Sequence, residues 1–291
     1  MAGGADGAVA GAGLRSAIAR PLDMRCVSNR AVARLTPVAV AVAGAVALIR
    51  GLSVTWVIGA AVGGALVAFG GWALARELAP DDNAAAFVSM ALAFATLPVV
   101  EPLTLLVLFT TMLLVRIVNR TVGVAAHVAD SIIVTGLVAT TVYLAKIPLF
   151  GIVAALAFAL DAVLCGAHRR QWVFTVLCLS VAGTWFVRYG SGLGVGPSLG
   201  TGTVALLAVV ALAFAAAILL TRVVRSTADV TGDLLRVSRV RAGMLIALLV
   251  ALLALLLGQP GLALTAVVWA ALAGVGGSAV VVRPRLPRRI T

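Results

Sequence analysis

Few residues in this chain can carry chemistry, because charge itself is scarce: Asp, Glu, Lys and Arg make up 11% of its 291 residues. The densest group is Arg76-Glu77-Leu78-Ala79-Pro80-Asp81-Asp82-Asn83, where Glu77, Asp81 and Asp82 put three carboxylates close together. Hard carboxylate oxygens suit Mg2+, so such a cluster can hold a metal-bound diphosphate if the protein is an enzyme. The ordinary reading is boundary chemistry. Arg76 closes one helix, Pro80 breaks the chain, and Asp81, Asp82 or Asn83 caps the next helix at its positive end.

Asp130 and Asp161 are the acids that interrupt apolar runs. An ionised side chain there is costly unless paired, which makes each a candidate site. Each is expected about 10 Å from the cytoplasmic end of its helix. Consecutive antiparallel helices joined at Lys146-Ile147-Pro148 would then bring both to one depth. His127 shares a helical face with Asp130 three residues on, and His168 shares one with Asp161. One role is ion pairing with Arg116, Arg120 or Arg169, which would tether helix ends. The other is a proton relay or substrate site, and Asp161 inclines to it because no basic residue stands nearer in sequence than Arg169.

Other constellations are weaker. Asp229 and Asp233 lie four apart, a spacing that can share a metal-diphosphate, but the arginines around them and Gly232 favour a solvated, salt-bridged face. The glycine-rich stretch 189–200 lacks the Gly-Lys-Ser/Thr end of a phosphate loop and reads as a flexible outer loop. Asn119-Arg120-Thr121 is a glycosylation sequon in form only, since it is expected to face the cytoplasm. Cys26, Cys165 and Cys178 form no CxxC pair or metal spacing and read as small hydrophobes. No cofactor is implied beyond the conditional Mg2+.

The elements that must position these residues are membrane helices. The chain is 63% hydrophobic with a mean hydropathy of +1.17, against roughly 25% charged residues in a soluble domain. Long Ala, Val and Leu runs without period-2 alternation exclude a barrel. Ten runs are bounded by charges or turns: 35–49, 52–75, 84–100, 102–115, about 123–144, about 148–167, 171–187, 204–220, and a hairpin over 242–282 broken at Gly258-Gln259-Pro260-Gly261. The expected fold is an all-α polytopic bundle of about ten crossings, with eight crossings plus a re-entrant hairpin at 84–115 as the alternative. The runs 35–49 and 102–115 are short for the roughly 20 residues a crossing needs.

With both termini cytoplasmic, every basic residue except Arg50, Lys146 and Arg188 falls on the inner side. The net charge of +12 is therefore spread along helix ends. That distribution excludes nucleic acid and points to anionic lipid headgroups as partners. Trp56, Trp72, Trp172 and Trp185 fall near helix ends and are expected in the headgroup zone. Residues 1–34 form a basic cytoplasmic arm without a cleavable signal, and 283–291 a basic tail. Residues 221–241 place arginines on one helical stripe and Val223, Val230, Leu234 and Val237 on another, which predicts an amphipathic cytoplasmic helix. Residues 113–121 and 219–227 match weakly, as a parallel repeat would.

Size and helix count resemble those of ten-helix drug/metabolite transporters, an analogy of fold without a motif. The expected function is a transporter-like permease of the plasma or inner membrane, with an unspecified small-molecule or lipid substrate. One alternative is a membrane enzyme acting from the cytoplasmic side on a lipid or lipid-phosphate. Intramembrane prenyltransferases place aspartates this way, although their Asn-Asp-x-x-Asp-x-x-x-Asp motif is absent. A non-catalytic subunit or scaffold is the third. The polar cluster on which any of them would turn is Glu77, Asp81, Asp82, Arg116, Arg120, His127, Asp130 and Asp161.

Overall fold

The computed structural model describes residues 16–18, 23–164, 166, 168–190 and 196–282. Among them are ten α-helices: α1 (Val27–Ile49), α2 (Val54–Leu78), α3 (Asn83–Ala95), α4 (Pro102–Asn119), α5 (Val128–Leu144), α6 (Pro148–Val163), α7 (Gln171–Tyr189), α8 (Thr201–Leu220), α9 (Val237–Ala254) and α10 (Gln259–Val282). Short 3-10 turns, Leu97–Val99 and Leu255–Leu257, follow α3 and α9. Seven segments are long and apolar enough to cross a membrane, and α3, α5 and α6 are shorter apolar helices. The protein is a helical, multi-pass membrane protein.

Several helices run past the apolar stretch that announces them. α1 begins at Val27 rather than Leu35, so Arg30 and Arg34 ride on its first turns and the helix reaches 23 residues. α2 carries Glu77 on its last turn, and α4 runs through Arg116 to Asn119. Arg and Glu are good helix formers, so a charge at the end of an apolar run does not stop the backbone. The stops are conformational: Gly51 with φ +70, Pro80, and Arg120, which caps α4 in the left-handed region at φ 53. α5 starts at Val128 and α6 ends at Val163. Asp130 and Asp161 therefore sit in terminal turns, shallower than expected. His168 lies past the end of α6 and carries no helical phase.

The amphipathic helix expected over 221–241 does not form. Residues 221–236 are an irregular strap, and only from Val237 is the chain helical. Thr221, Val223, Val224, Thr227, Val230 and Thr231 are β-branched and poor helix formers. Gly232, at φ +71, lets the strap fold back on itself. The Ala228 amide donates to Asp233, the Leu235 amide donates to Ser226, and Thr227 bridges Leu234. The weak repeat fails for the same reason: 113–119 is helix, whereas past Leu220 the matching stretch is strap.

α2, α3, α4, α9 and α10 form one packed group, and α5, α6 and α7 a second that meets the first through α4 and α9. α5 and α6 do pack on each other. α1 leans on α2, while α8 lies outside, against α10 and α9, with Leu206, Val209 and Leu212 exposed as lipid-facing residues are. Helices in lipid associate through close packing rather than hydrophobic exclusion. Gly274 of α10 shows it: a Cβ there would lie 2.8 Å from the Ser89 backbone nitrogen and 3.0 Å from the Ala85 carbonyl of α3. Trp72 and Trp185 are buried in helix packing, whereas Trp56 and Trp172 are exposed.

Contacts sort the helix ends into two sets. One gathers Ile18, Glu77, Asp81, Arg116, Arg120, Asp161, Ser226, Arg239 and Ser278. The other gathers the 50–52 turn with Leu97 and Pro98, and Lys146 with Tyr189 and Pro260. Nearly all charge pairing belongs to the first.

Candidate functional site

The centre of the charged end is Asp161, fully buried on the last turn of α6. Arg120 Nε donates to its Oδ1 at 2.9 Å and Arg239 Nη1 donates to the same oxygen at 2.8 Å. Gln171 Nε2, at the head of α7, donates to Oδ2 at 3.2 Å, and Ser131 Oγ of α5 donates to Gln171 Oε1. Five helices thus meet at one carboxylate. Each arginine is also held by carbonyls: Arg239 donates to Val118 and Leu164, Arg120 to Gly166. Arg120 reaches inward because its backbone is left-handed, a conformation that costs a non-glycine residue free energy. Two guanidinium groups on one carboxylate leave the node with net positive charge. Arg239 is only 3% exposed.

Asp130 does not face Asp161. Its carboxylate accepts from the His127 amide of its own helix, the Ser16 hydroxyl and the Ala17 amide. His127 itself is exposed at the start of α5. The segment 16–18 is thereby laid across the charged end, and Arg116 Nη1 donates to the Ile18 carbonyl at 2.6 Å. Arg116 pairs through Nε with Glu77 Oε1 at 2.9 Å, both side chains nearly enclosed.

Glu77, Asp81 and Asp82 are turned to three different tasks. Asp82 caps α3 through the Ala85 amide and accepts from Ser278 of α10. Asp81 accepts from the amides of Arg225 and Ser226 and from the Ser226 hydroxyl, fastening the strap to the α2–α3 turn. Among the described residues no group of three His, Cys, Asp or Glu side chains gathers as a metal site. Burial raises the Asp81 carboxyl, but the hydrogen bonds from Ser226 and Arg225 and the Arg225 charge outweigh it, leaving it below its usual 3.8. A depressed folded-state value contributes stability that is present above 3.8 and lost as pH falls through the lowered value. Hydrogen exchange at the Arg225 and Ser226 amides, corrected for intrinsic rate, is therefore expected to show equal protection at pH 7 and pH 5. Asp81→Asn is expected to lose that protection at both.

The strap closes one side of a cleft of about 530 Å³, lined by Asn119, Arg120, Ala228, Asp233, Arg236 and Arg239 among others. Its fit depends on Gly123, at φ +94, where a Cβ would stand 2.9 Å from Ala228 Cβ and closer still to Thr231 Oγ1. Backbone bonds from Asp229 to Thr121 and from Val230 to Val122 hold the strap there. Gly123→Ala is expected to destabilise by about 1–3 kcal/mol through backbone strain. Trypsin cleavage at Arg222 and Arg225 is expected to quicken with it. A second, wider cleft of about 800 Å³ lies between Arg76, Asp81, Asp82, Arg222 and Arg225.

His168, beside the node, is held below its usual 6.5 by burial first and then by the charges of Arg120, Arg170 and Arg239, with Asp161 partly opposing. Arg170 donates to the Ala126 carbonyl. Behind the node, buried polar side chains continue into the helices. They include Gln171, Ser131 and Thr175, with half-buried Thr135 beside Cys178, and, between α4 and α5, Thr110 and Thr141 in mutual hydrogen bond.

Of the residues singled out from sequence, the structure joins Arg120 with Asp161, Arg116 with Glu77, and His127 with Asp130. Arg236, Arg239, Gln171 and Ser131 were not foreseen as site residues. A glutamine heading an apolar helix and an arginine inside the first turn of another were the available signals. Comparison of the chain with protein families, curated proteins and solved structures finds no match.

Proposed function

We propose that the protein is a permease-like carrier of the plasma or inner membrane. In this reading ten helices cross, both termini are cytoplasmic, and the charged end faces inward. α3 and its 3-10 turn run from the Ser278 end to the turn at Arg50, which favours crossing over re-entry for 84–115. The placement of basic residues at the Asp161 end agrees with the positive-inside tendency.

The observation that carries the reading is the set of buried polar side chains inside the bundle: Gln171 and Ser131 beside Asp161, Thr175 one turn farther along α7, and the Thr110–Thr141 pair between α4 and α5. Ser, Thr and Gln side chains hydrogen-bond helices to one another in lipid, and beside an intramembrane ion pair they also offer a solute polar partners. Asp161, shared between an arginine of α4 and one of α9, suits an element with two arrangements, since either partner can hold it. The enzyme reading has less support, because the acids go to separate partners. Carboxylates sharing a metal-diphosphate would have to converge.

Cys178 tests this without knowledge of the solute. It is fully buried on α7, beside Thr135. With Cys26 and Cys165 replaced by Ser, a small membrane-impermeant thiol reagent applied to sealed vesicles is expected to modify Cys178 slowly from one face. A carrier must hydrate its path in some state. Complete protection from both faces, in folded protein, removes the permease reading and leaves a scaffold.

A further inference from the structure

We infer that the cleft at Arg120, Arg236 and Arg239 is a binding site for a phosphate-bearing anion, reached from the inner face. This deepens the carrier reading by naming a ligand class, and rests on it only in treating that ligand as cargo; binding itself does not require transport.

The argument is one of charge and room. Arg120, Arg236 and Arg239 line the cleft, against Asp233 at its wall and Asp161 behind it. Arg236 is exposed at the cleft, Arg239 is buried against Asp161, and the three arginines of the lining face one lining acid, Asp233. Guanidinium charge removed from water is costly unless a counter-charge with matching hydrogen-bond geometry completes it. The planar, multi-donor guanidinium suits phosphate oxygens, which accept two parallel bonds. Arg236 is also the capping residue of α9, and a helix start favours an anion.

Shape is consistent with a headgroup-sized ligand. About 530 Å³ falls within the usual range of small-molecule pockets, roughly 300–1,000 Å³. Leu234 and Leu235 of the strap add an apolar wall beside the arginines. Basic pockets between membrane helices on the cytoplasmic side are where lipid phosphates dock. A free phosphate ester presents the same chemistry.

The test uses the full chain in phosphatidylcholine nanodiscs. Inorganic phosphate is titrated by calorimetry, and phosphatidic acid is exchanged in and read by native mass spectrometry. Arg236→Gln removes the most exposed arginine of the cleft, outside the Asp161 network, and so leaves the fold in place. Arg188→Gln makes the same charge change at the other end. Expected is binding of at least one probe, weakened about tenfold or more in Arg236→Gln, as loss of a charge-assisted hydrogen bond implies, and unchanged in Arg188→Gln. Phosphate binding without lipid retention assigns a soluble ester, and the reverse a lipid headgroup. No binding of either probe, or equal binding in wild type and Arg236→Gln, overturns the site. Cys178 labelling without binding refutes the ligand and not the carrier; binding without labelling refutes the carrier and not the ligand.

Discussion

Asp161→Asn is expected to cost about 3–5 kcal/mol, among the largest losses any single isosteric change can produce in this protein. The substitution keeps the volume and one oxygen. It removes the negative charge that Arg120 and Arg239 share, and it turns an amide N–H2 toward groups that are themselves donors. Arg239, at 3% exposure, gains little solvation from the cleft it borders. Gln171 also loses an acceptor. The effect should appear as a large drop in thermal stability in detergent. Asp161→Asn combined with Arg239→Met should recover part of it, because it removes the more deeply buried of the two stranded cations. A single variant within about 1 kcal/mol of wild type would mean that Asp161 is not what holds the two arginines in place.

This outcome opposes the direction the sequence suggested for Asp161. Absence of a basic residue nearby in sequence says nothing of residues brought in by other helices. Arg120 lies 41 positions away and Arg239 78. Long-range pairing of this kind has no local signal, because α6 and α9 touch only after the bundle assembles. The membrane class, the number of helices and the order of the runs were legible. Each rests on composition and length, which act locally: an apolar run in lipid must close its own backbone hydrogen bonds. Helix ends were less so, since Arg and Glu extend helices as readily as they border them.

The strap 221–236 shows where pattern reading breaks. Charges and valines recur at helical spacing, yet the β-branched residues, Gly232 and the pull of Asp81 on the Arg225 and Ser226 amides draw the backbone elsewhere. Periodicity there belongs to a segment whose two faces are set by a hairpin and a partner loop. The carboxylates of the 77–82 stretch were visible as a cluster in sequence, but adjacency along the chain does not fix direction. Glu77, on a helix, looks toward α4. Asp82 is committed to its own helix start, and Asp81 to the strap.

Glu77 and Arg116 provide the second large effect. Their side chains are 1% and 9% exposed and meet at 2.9 Å. Glu77→Gln and Arg116→Met should each destabilise by about 3–5 kcal/mol, since each leaves a buried charge without its counter-charge. The double variant should cost clearly less than the two together, and the shortfall is the coupling that a double-mutant cycle measures. The two single variants part on a further readout. Arg116 also donates directly to the Ile18 carbonyl, which ties it to the 16–18 segment. Ala17 is 3% exposed in the folded protein. In an Ala17→Cys background with Cys26 replaced, thiol labelling should stay slow in Glu77→Gln and become fast in Arg116→Met. Equal labelling in both would mean that the Asp130 contacts to Ser16 and Ala17 hold the segment without help from Arg116. Additive losses in the cycle would mean that the pair, despite its geometry, is not energetically coupled.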